Sequence, residues 1–320
     1  MKNLINVEVV STNALCADVC QIELAATEAA LPPYAPGDHI ELHLPLDAEE
    51  LVRCYSLVGA WHEEGIYKLA VRRTEPSRGG SAFMHTLKPG DRLRISPPIS
   101  NFPLSFSSTT ARVFLAGGIG ITPLIGMIQT LSGQGHKPDL YYAGRSEASM
   151  PFVSELRTLL DSRLHLGIDN EGTSFDLKKT IANLPISAEL YMCGPVSMLN
   201  AVKTIWADSG RDPTALRFET FASGGTYRNE AFSVTVPRLN ITLEVSANET
   251  LLEALERSGA EPLYNCRKGE CGLCAVEVID VKGSIDHRDV FFSDDQKAVG
   301  KAFCSCVSRV AGGSVSIDFP

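Results

Sequence analysis

Over the first hundred positions, apolar residues alternate with polar ones in short runs bounded by proline, glycine or aspartate. The runs Asn6 to Val10, Ile40 to Leu44, Tyr55 to Val58, Tyr67 to Val71 and Leu93 to Ser96 have the period of two expected of half-buried strands, and they predict a small antiparallel β-barrel. Pro36-Gly37-Asp38 and Pro89-Gly90-Asp91 supply turns, and Pro97-Pro98 ends the last ladder because proline donates no backbone hydrogen bond. From Arg112 the texture changes. Val113 to Ala116, Leu140 to Tyr142, Leu164 to Leu166, Leu190 to Met192 and Leu216 to Phe218 are apolar runs separated by helix-length stretches, which predicts an α/β domain with a parallel sheet. Ala222-Ser223-Gly224-Gly225-Thr226 then interrupts the pattern as a linker would. Beyond it, Phe232 to Val236 and Ile241 to Val245 alternate as a hairpin. Leu251 to Glu256 reads as a helix and Ser314 to Ile317 as a closing strand, the outline of a β-grasp module. The expected domains are 1–104, 105–224 and 231–320.

Composition narrows the function classes. A chain of 320 residues has room for three cores, and no run of eighteen apolar residues is present to span a bilayer, so no membrane association is expected. The first six residues lack the apolar stretch of a signal peptide, and nine cysteines fit a reducing cytoplasm, where the chain is expected to reside. A net charge of -9 disfavours nucleic acid, whose phosphates need concentrated Lys and Arg.

Four of those cysteines carry the strongest chemical signal. Cys266, Cys271 and Cys274 follow the C-x4-C-x2-C spacing of plant-type ferredoxin loops, and a distant cysteine near the C-terminus completes the set. A 2Fe-2S cluster needs four thiolates from one wrapped loop and one distant strand, and the small residues Gly269, Gly272 and Ala275 let backbone amides reach the sulfurs. A zinc site is the alternative, although zinc knuckles usually pair two short C-x2-C hairpins. For the fourth ligand, Cys304 and Cys306 compete, and two residues apart they would share one strand face. Spacing alone favours Cys304, which lies twenty-nine intervening residues beyond Cys274. No C-x-H pair accompanies these cysteines, so a Rieske centre is not expected in this chain.

Four further motifs suit nucleotides. Gly117-Gly118-Ile119-Gly120-Ile121-Thr122-Pro123 joins a buried strand to a helix, where glycines let amides close on a pyrophosphate and the helix start adds partial positive charge. It lacks the G-x-G-x-x-G order, and a tight strand-to-helix turn is the plainer reading of the glycines alone. Cys193-Gly194-Pro195 follows another strand of the same sheet, at the edge where α/β sheets bind ligands, so Cys193 could border a nicotinamide. In the barrel, Arg53-Cys54-Tyr55-Ser56-Leu57 offers an arginine for a phosphate and an aromatic for a flavin ring, and Ser77-Arg78-Gly79-Gly80-Ser81 offers a phosphate cradle. His39 and His43 read as strand residues and His287 as loop support.

Taken in order, these motifs resemble the phthalate dioxygenase reductase family, the class IA reductases of Rieske-type oxygenase systems. The resemblance extends to Asp286-His287-Arg288-Asp289 and Cys306-Val307-Ser308-Arg309 and covers nearly the whole chain. It implies a flavin barrel, an NAD domain and a ferredoxin-like domain in that order, in an NADH-dependent flavin/iron-sulfur oxidoreductase. FMN would be held by Arg53, Tyr55 and Ser56, with Arg78, Gly79, Gly80 and Ser81 at its phosphate. NADH would meet Gly117, Gly118, Thr122, Cys193, Gly194 and Pro195, and Phe221 would shield the flavin or pack between domains. The family's ligand precedes a Ser-Arg pair, which selects Cys306 beside Cys266, Cys271 and Cys274. Hydride passes between cofactors, so no side-chain acid or base is required. The expected partner is a terminal Rieske-type oxygenase. NADH rests on the resemblance, because Arg145 could meet a 2'-phosphate. The alternative is a redox sensor or electron carrier that does not turn over NADH.

Overall fold

Strand alternation builds the first sheet. The computed structural model describes residues 4–46, 49–61, 65–74, 79–105, 111–221 and 225–320. Strands β1 (Ile5–Cys16), β2 (Val19–Ala26), β3 (His39–Leu46), β4 (Glu49–Ser56), β5 (Ile66–Arg72) and β6 (Arg92–Ile95) form an antiparallel sheet in the order β4-β3-β6-β1-β2-β5. Val7, Val9, Ile22, Leu24, Ile40, Leu42, Leu44, Tyr67, Leu69, Leu93 and Ile95 point into one core, so both edges of the sheet curl around the same side chains. Just past β4, the Val58 amide donates to the Lys68 carbonyl at 2.8 Å and brings the two edges together. A short helix, α1 (Gly80–Met84), follows β5. Strand β2 lies outside the five expected runs, because Glu23, Ala25 and Ala26 are poor strand formers and only Val19, Ile22 and Leu24 are buried, without a regular alternation. The fourth strand also begins earlier than its expected run, at Glu49.

The second sheet is parallel. It comprises β7 (Arg112–Gly117), β8 (Asp139–Gly144), β9 (Leu164–Ile168), β10 (Glu189–Cys193) and β11 (Leu216–Glu219), with helices α2 (Ile121–Gly133), α3 (Val153–Leu160), α4 (Leu177–Ala182) and α5 (Val196–Asp208) as crossovers. All five strands fall on the expected runs. Their order, β11-β10-β7-β8-β9, means the chain builds outward from β7 on one side and returns to the other. The gap between the ends of β7 and β10 is therefore the switch point where such sheets open a ligand crevice. The barrel and this sheet form one unit, Met1–Glu219. The Ala60 amide donates to Gln129 Oε1 on α2 at 2.8 Å, and the Ser105 amide donates to the Tyr191 hydroxyl at 2.8 Å.

The second unit, Thr220–Pro320, is built on a mixed sheet. Strands β12 (Phe232–Val236), β13 (Ile241–Val245), β14 (Ala275–Asp286), β15 (Ala302–Cys304) and β16 (Arg309–Asp318) take the order β13-β12-β16-β14-β15, with β12 and β16 parallel. Helix α6 (Leu251–Arg257) starts at a capping box in which Thr250 and Glu253 satisfy each other's amides, and its Leu251, Ala254 and Leu255 fill the core. A last helix, α7 (Asp294–Val299), precedes β15. Of the expected linker, 222–224 lie outside the described residues. Its end is held down: the Thr226 amide donates to Asp286 Oδ1 at 2.8 Å, and Arg288 Nη1 donates to Asn229 Oδ1 at 2.7 Å.

Candidate functional site

In the barrel, Arg53 and Tyr55 stand on β4 opposite Leu42 and Ile40, while Ser56 stands opposite His39 on the other face. Helix α1 lies along the arginine stem. A Cβ on Gly80 would come within 2.9 Å of Arg53 Cγ, so only a glycine lets the turn that carries Gly79, Gly80 and Ser81 reach the guanidinium. The Ser81 hydroxyl lies 2.9 Å from the Thr74 hydroxyl. Arg78 lies outside the described residues. Burial pushes the Tyr55 phenol well above its ordinary pKa despite the neighbouring Arg53, so it stays neutral. A cation beside a glycine-lined turn and a neutral aromatic fit a phosphorylated flavin.

At the switch point the two nucleotide motifs touch. A Cβ on Gly117 would meet Pro195 Cδ at 2.5 Å, and one on Gly120 would meet the Cys193 carbonyl oxygen at 2.1 Å. Backbone thus lies against backbone at the ends of β7 and β10, the close approach a dinucleotide needs. Gly118 has φ +54° and its carbonyl accepts from the Tyr142 hydroxyl at 3.1 Å. Thr122 is buried and donates its hydroxyl to the Ile119 carbonyl at 3.0 Å, so this side chain closes the turn. Cys193 is fully buried and pairs in register with Glu219 on β11. Glu219, only 2% exposed, accepts a hydrogen bond from the Ser56 hydroxyl at 3.2 Å. Sequence reasoning missed this glutamate. The available signal was an acidic residue at the C-terminal end of a parallel strand, where solvation is the ordinary reading and ligand contact the informative one.

In the second unit the cysteine loop runs from Cys266 to Cys274 between α6 and β14. Cys266, Cys274 and Cys306 are buried and Cys271 is exposed. None of the nine cysteines is in a disulfide. The Cys274 and Cys306 sulfurs lie 3.1 Å apart, and the amides of Lys268 and Glu270 each donate to Cys266 Sγ at 3.4 Å. Hydrogen bonds from Cys306, then from these amides, draw the Cys266 thiol below its ordinary pKa. Those from Cys304 and Cys306 do the same to Cys274. Burial raises the Cys271 thiol and the hydrogen bonds of Cys266 and Cys274 raise that of Cys306, so ionisation is favoured at two of the four; three buried sulfurs with amides aimed at one of them fit a thiolate-ligated iron cluster. Cys304 and Cys306 do not share a strand face: Cys304 ends β15, and Cys306 sits in the turn after it.

The Asp286-His287-Arg288-Asp289 motif braces this loop. The Val290 amide donates to the Gly269 carbonyl at 3.0 Å, and the Ser308 hydroxyl, two residues after Cys306, donates to Asp289 Oδ1 at 3.1 Å. Burial opposes the charge of Asp289. The His287 ring 3.6 Å away, hydrogen bonds from the Phe292 amide and Ser308, and the nearby Lys297 ammonium outweigh it and hold the carboxyl below its usual range. Gly269 has φ +75°, and a Cβ there would meet Val307 Cγ2 at 2.6 Å. Phe221, 41% exposed, has its ring 5.8 Å from the Lys268 ammonium of the same loop.

Known families match the two end regions of the chain. The family described as oxidoreductase FAD-binding domain matches residues 6–103, and that described as 2Fe-2S iron-sulfur cluster binding domain matches 234–311. The heme-dependent oxidative N-demethylase beta subunit of Ectopseudomonas mendocina is 35% identical over 319 residues, covering 99% of this chain and 100% of the relative. The solved structure of phthalate dioxygenase reductase is 28% identical with a TM-score of 0.84, over 99% of this chain and 98% of that one. An intact type IV self-sufficient cytochrome P450 monooxygenase is 32% identical with a TM-score of 0.69. The match covers 98% of this chain but spans only 41% of that longer polypeptide.

Proposed function

The chain belongs to the phthalate dioxygenase reductase family, the class IA reductases of Rieske-type oxygenase and demethylase systems, and from that premise we propose which residues serve each of its cofactors. It is a reductase subunit that passes electrons from a nicotinamide cofactor through a flavin and a 2Fe-2S centre to a partner oxygenase. The bound groups supply hydride acceptance and one-electron transfer, and the chain supplies position.

Arg53, with Gly79, Gly80 and Ser81 along its stem, holds the flavin phosphate, and Arg78 is assigned to the same phosphate from sequence. This turn suits one terminal phosphate better than a pyrophosphate, which makes the flavin FMN. Tyr55 flanks the ring. Ser56 commits its proton to Glu219 and keeps its oxygen lone pairs for a donor on the flavin. Gly117, Gly118, Thr122, Cys193, Gly194 and Pro195 form the crevice for NADH, with Cys193 beside the nicotinamide. A role for Phe221 at the flavin rests on sequence alone. Cys266, Cys271, Cys274 and Cys306 ligate the cluster. The flavin domain is assigned to 1–104, the NAD domain to 105–224 and the ferredoxin domain to 231–320.

The partner is a terminal Rieske-type oxygenase. A haem oxygenase is the second reading, favoured by the heme-dependent demethylase relative and by the P450 polypeptide that contains the same modules. No helix among the described residues is long and apolar enough to cross a membrane. A cytoplasmic location is proposed from cysteine usage.

One observation carries the reading: Ser56 on the barrel is hydrogen-bonded to Glu219 at the nucleotide edge of the parallel sheet, which brings the flavin and nicotinamide motifs into one site. The test is anaerobic mixing of the holoprotein with NADH. Flavin absorbance should bleach before the cluster is reduced. Ser56→Ala should slow the bleaching about ten- to a hundredfold, about 1.4 to 2.7 kcal/mol in barrier, at unchanged flavin content. A wild-type flavin that stays oxidised in NADH would instead make the protein a carrier or sensor.

A further inference from the structure

A cavity of about 470 Å³ opens at the end of the parallel sheet opposite the nucleotide crevice, where Arg112 begins β7, Asp139 begins β8 and Arg163 precedes β9. Its origin is a short crossover. The connection from β9 to β10 passes over β8 and β7, three strand spacings or about 14 Å, yet its helix α4 has only six residues, about 9 Å. Tyr141 and His165 therefore stay half-buried, and they line the cavity with Leu184 and Pro185, which follow α4. That wall is fixed in place. Arg211, only 7% exposed, donates to the carbonyls of Ile181, Leu184 and Pro185 at 2.9, 2.7 and 2.7 Å, so the cavity is preformed.

Positive charge exceeds negative around it. Arg112 is buried with Glu189 Oε2 3.8 Å from its Nε, and Glu189 is shared with Arg217 at 3.4 Å. Asp139 is shared in the same way, by Arg163 at 2.9 Å and His165 at 3.1 Å, and Lys137 stands exposed at the rim. Four cationic side chains thus divide two carboxylates, and the burial of one guanidinium strengthens its pull on a further anion. The remaining wall is apolar or aromatic: the Tyr141 and His165 rings stack at 4.5 Å, facing a cavity that Leu184 and Pro185 also line. We propose that this cavity binds a small aromatic carboxylate, with its carboxylate between Arg112 and Lys137 and its ring against Tyr141, Leu184 and Pro185. A bare inorganic anion would leave the apolar wall wet, and a neutral ring would leave the excess cation unmatched. The site is separate from electron transfer, because the crevice lies at the other ends of the same strands.

The test is isothermal titration calorimetry of the holoprotein with sodium benzoate, in saturating NAD+ so that the nucleotide crevice is filled. Benzoate should bind at one site per chain, and inorganic phosphate at the same ionic strength should bind at least about tenfold more weakly. Lys137→Glu should weaken benzoate about tenfold or more. Asn183→Trp, which narrows the cavity without changing its charge, should do the same. Lys282→Glu, the same charge change at an exposed position on β14 of the second unit, should leave the affinity unchanged. No binding at about 10 mM benzoate, binding that NAD+ abolishes, or phosphate binding as tight as benzoate would overturn the inference. So would wild-type affinity in both cavity variants, or equal losses in Lys137→Glu and Lys282→Glu. Each of these outcomes leaves the cofactor assignments standing.

Discussion

The nucleotide crevice and the cluster loop both depend on glycine, for different reasons. At the crevice, two strands of a parallel sheet already lie side by side, and glycine is required because backbone meets backbone: a Cβ on Gly120 would stand 2.1 Å from the Cys193 carbonyl oxygen. In the cluster loop no regular element sets the path. Arg267 and Gly269 both take positive φ, and the loop is braced by residues far along the chain, Asp289 and Ser308. A site carried by a sheet inherits its geometry, whereas a site carried by a loop must be held from outside.

A matched pair of substitutions sharpens that contrast. Gly120→Ala drives a methyl into rigid backbone and should destabilise the first unit by about 3 kcal/mol and abolish NADH binding. Gly269→Ala meets Val307 Cγ2 at 2.6 Å and Asp289 Cα at 2.9 Å, looser than the 2.1 Å clash at Gly120, and adds strain at φ +75°, for a smaller loss of about 1–3 kcal/mol. It should show as cluster release in mild denaturant. Equal losses at the two positions, by thermal unfolding of each variant, would break the comparison.

The brace makes a smaller, pH-dependent contribution. Asp289 titrates below its unfolded value, so its stabilisation is fully present above the ordinary carboxyl range, about pH 3.9, and is lost as pH falls through the depressed folded value. Asp289→Asn should cost about 1 kcal/mol near neutrality. It should also flatten the acid limb of cluster retention, followed by visible absorbance against pH. An acid limb identical to that of the wild type would remove Asp289 from the account.

Legibility in the sequence followed the same division. Strands β7 and β10 at the middle of the parallel sheet are buried almost throughout, and all five strands read as apolar runs. Strands β14 and β15 were not read, because β14 exposes Glu277, Asp280 and Lys282 along much of its length and β15 is three residues long. The cysteine spacing announced a cluster. The brace from Asp289 and Ser308 was not legible, since it arises only when β14 and β16 pair and bring residues nineteen positions apart into contact. Glu219 escaped for a related reason: its partner Ser56 lies 163 residues away.

In the proposed order of carriers, electrons leave only from the cluster. Cys271→Ser, at the exposed cysteine proposed as a ligand, should yield cluster-free protein that still binds flavin. Rapid mixing of this variant with NADH should bleach the flavin at the wild-type rate while turnover of the partner oxygenase is lost. Partner turnover at the wild-type rate would show that electrons depart directly from the flavin, and would contradict the account.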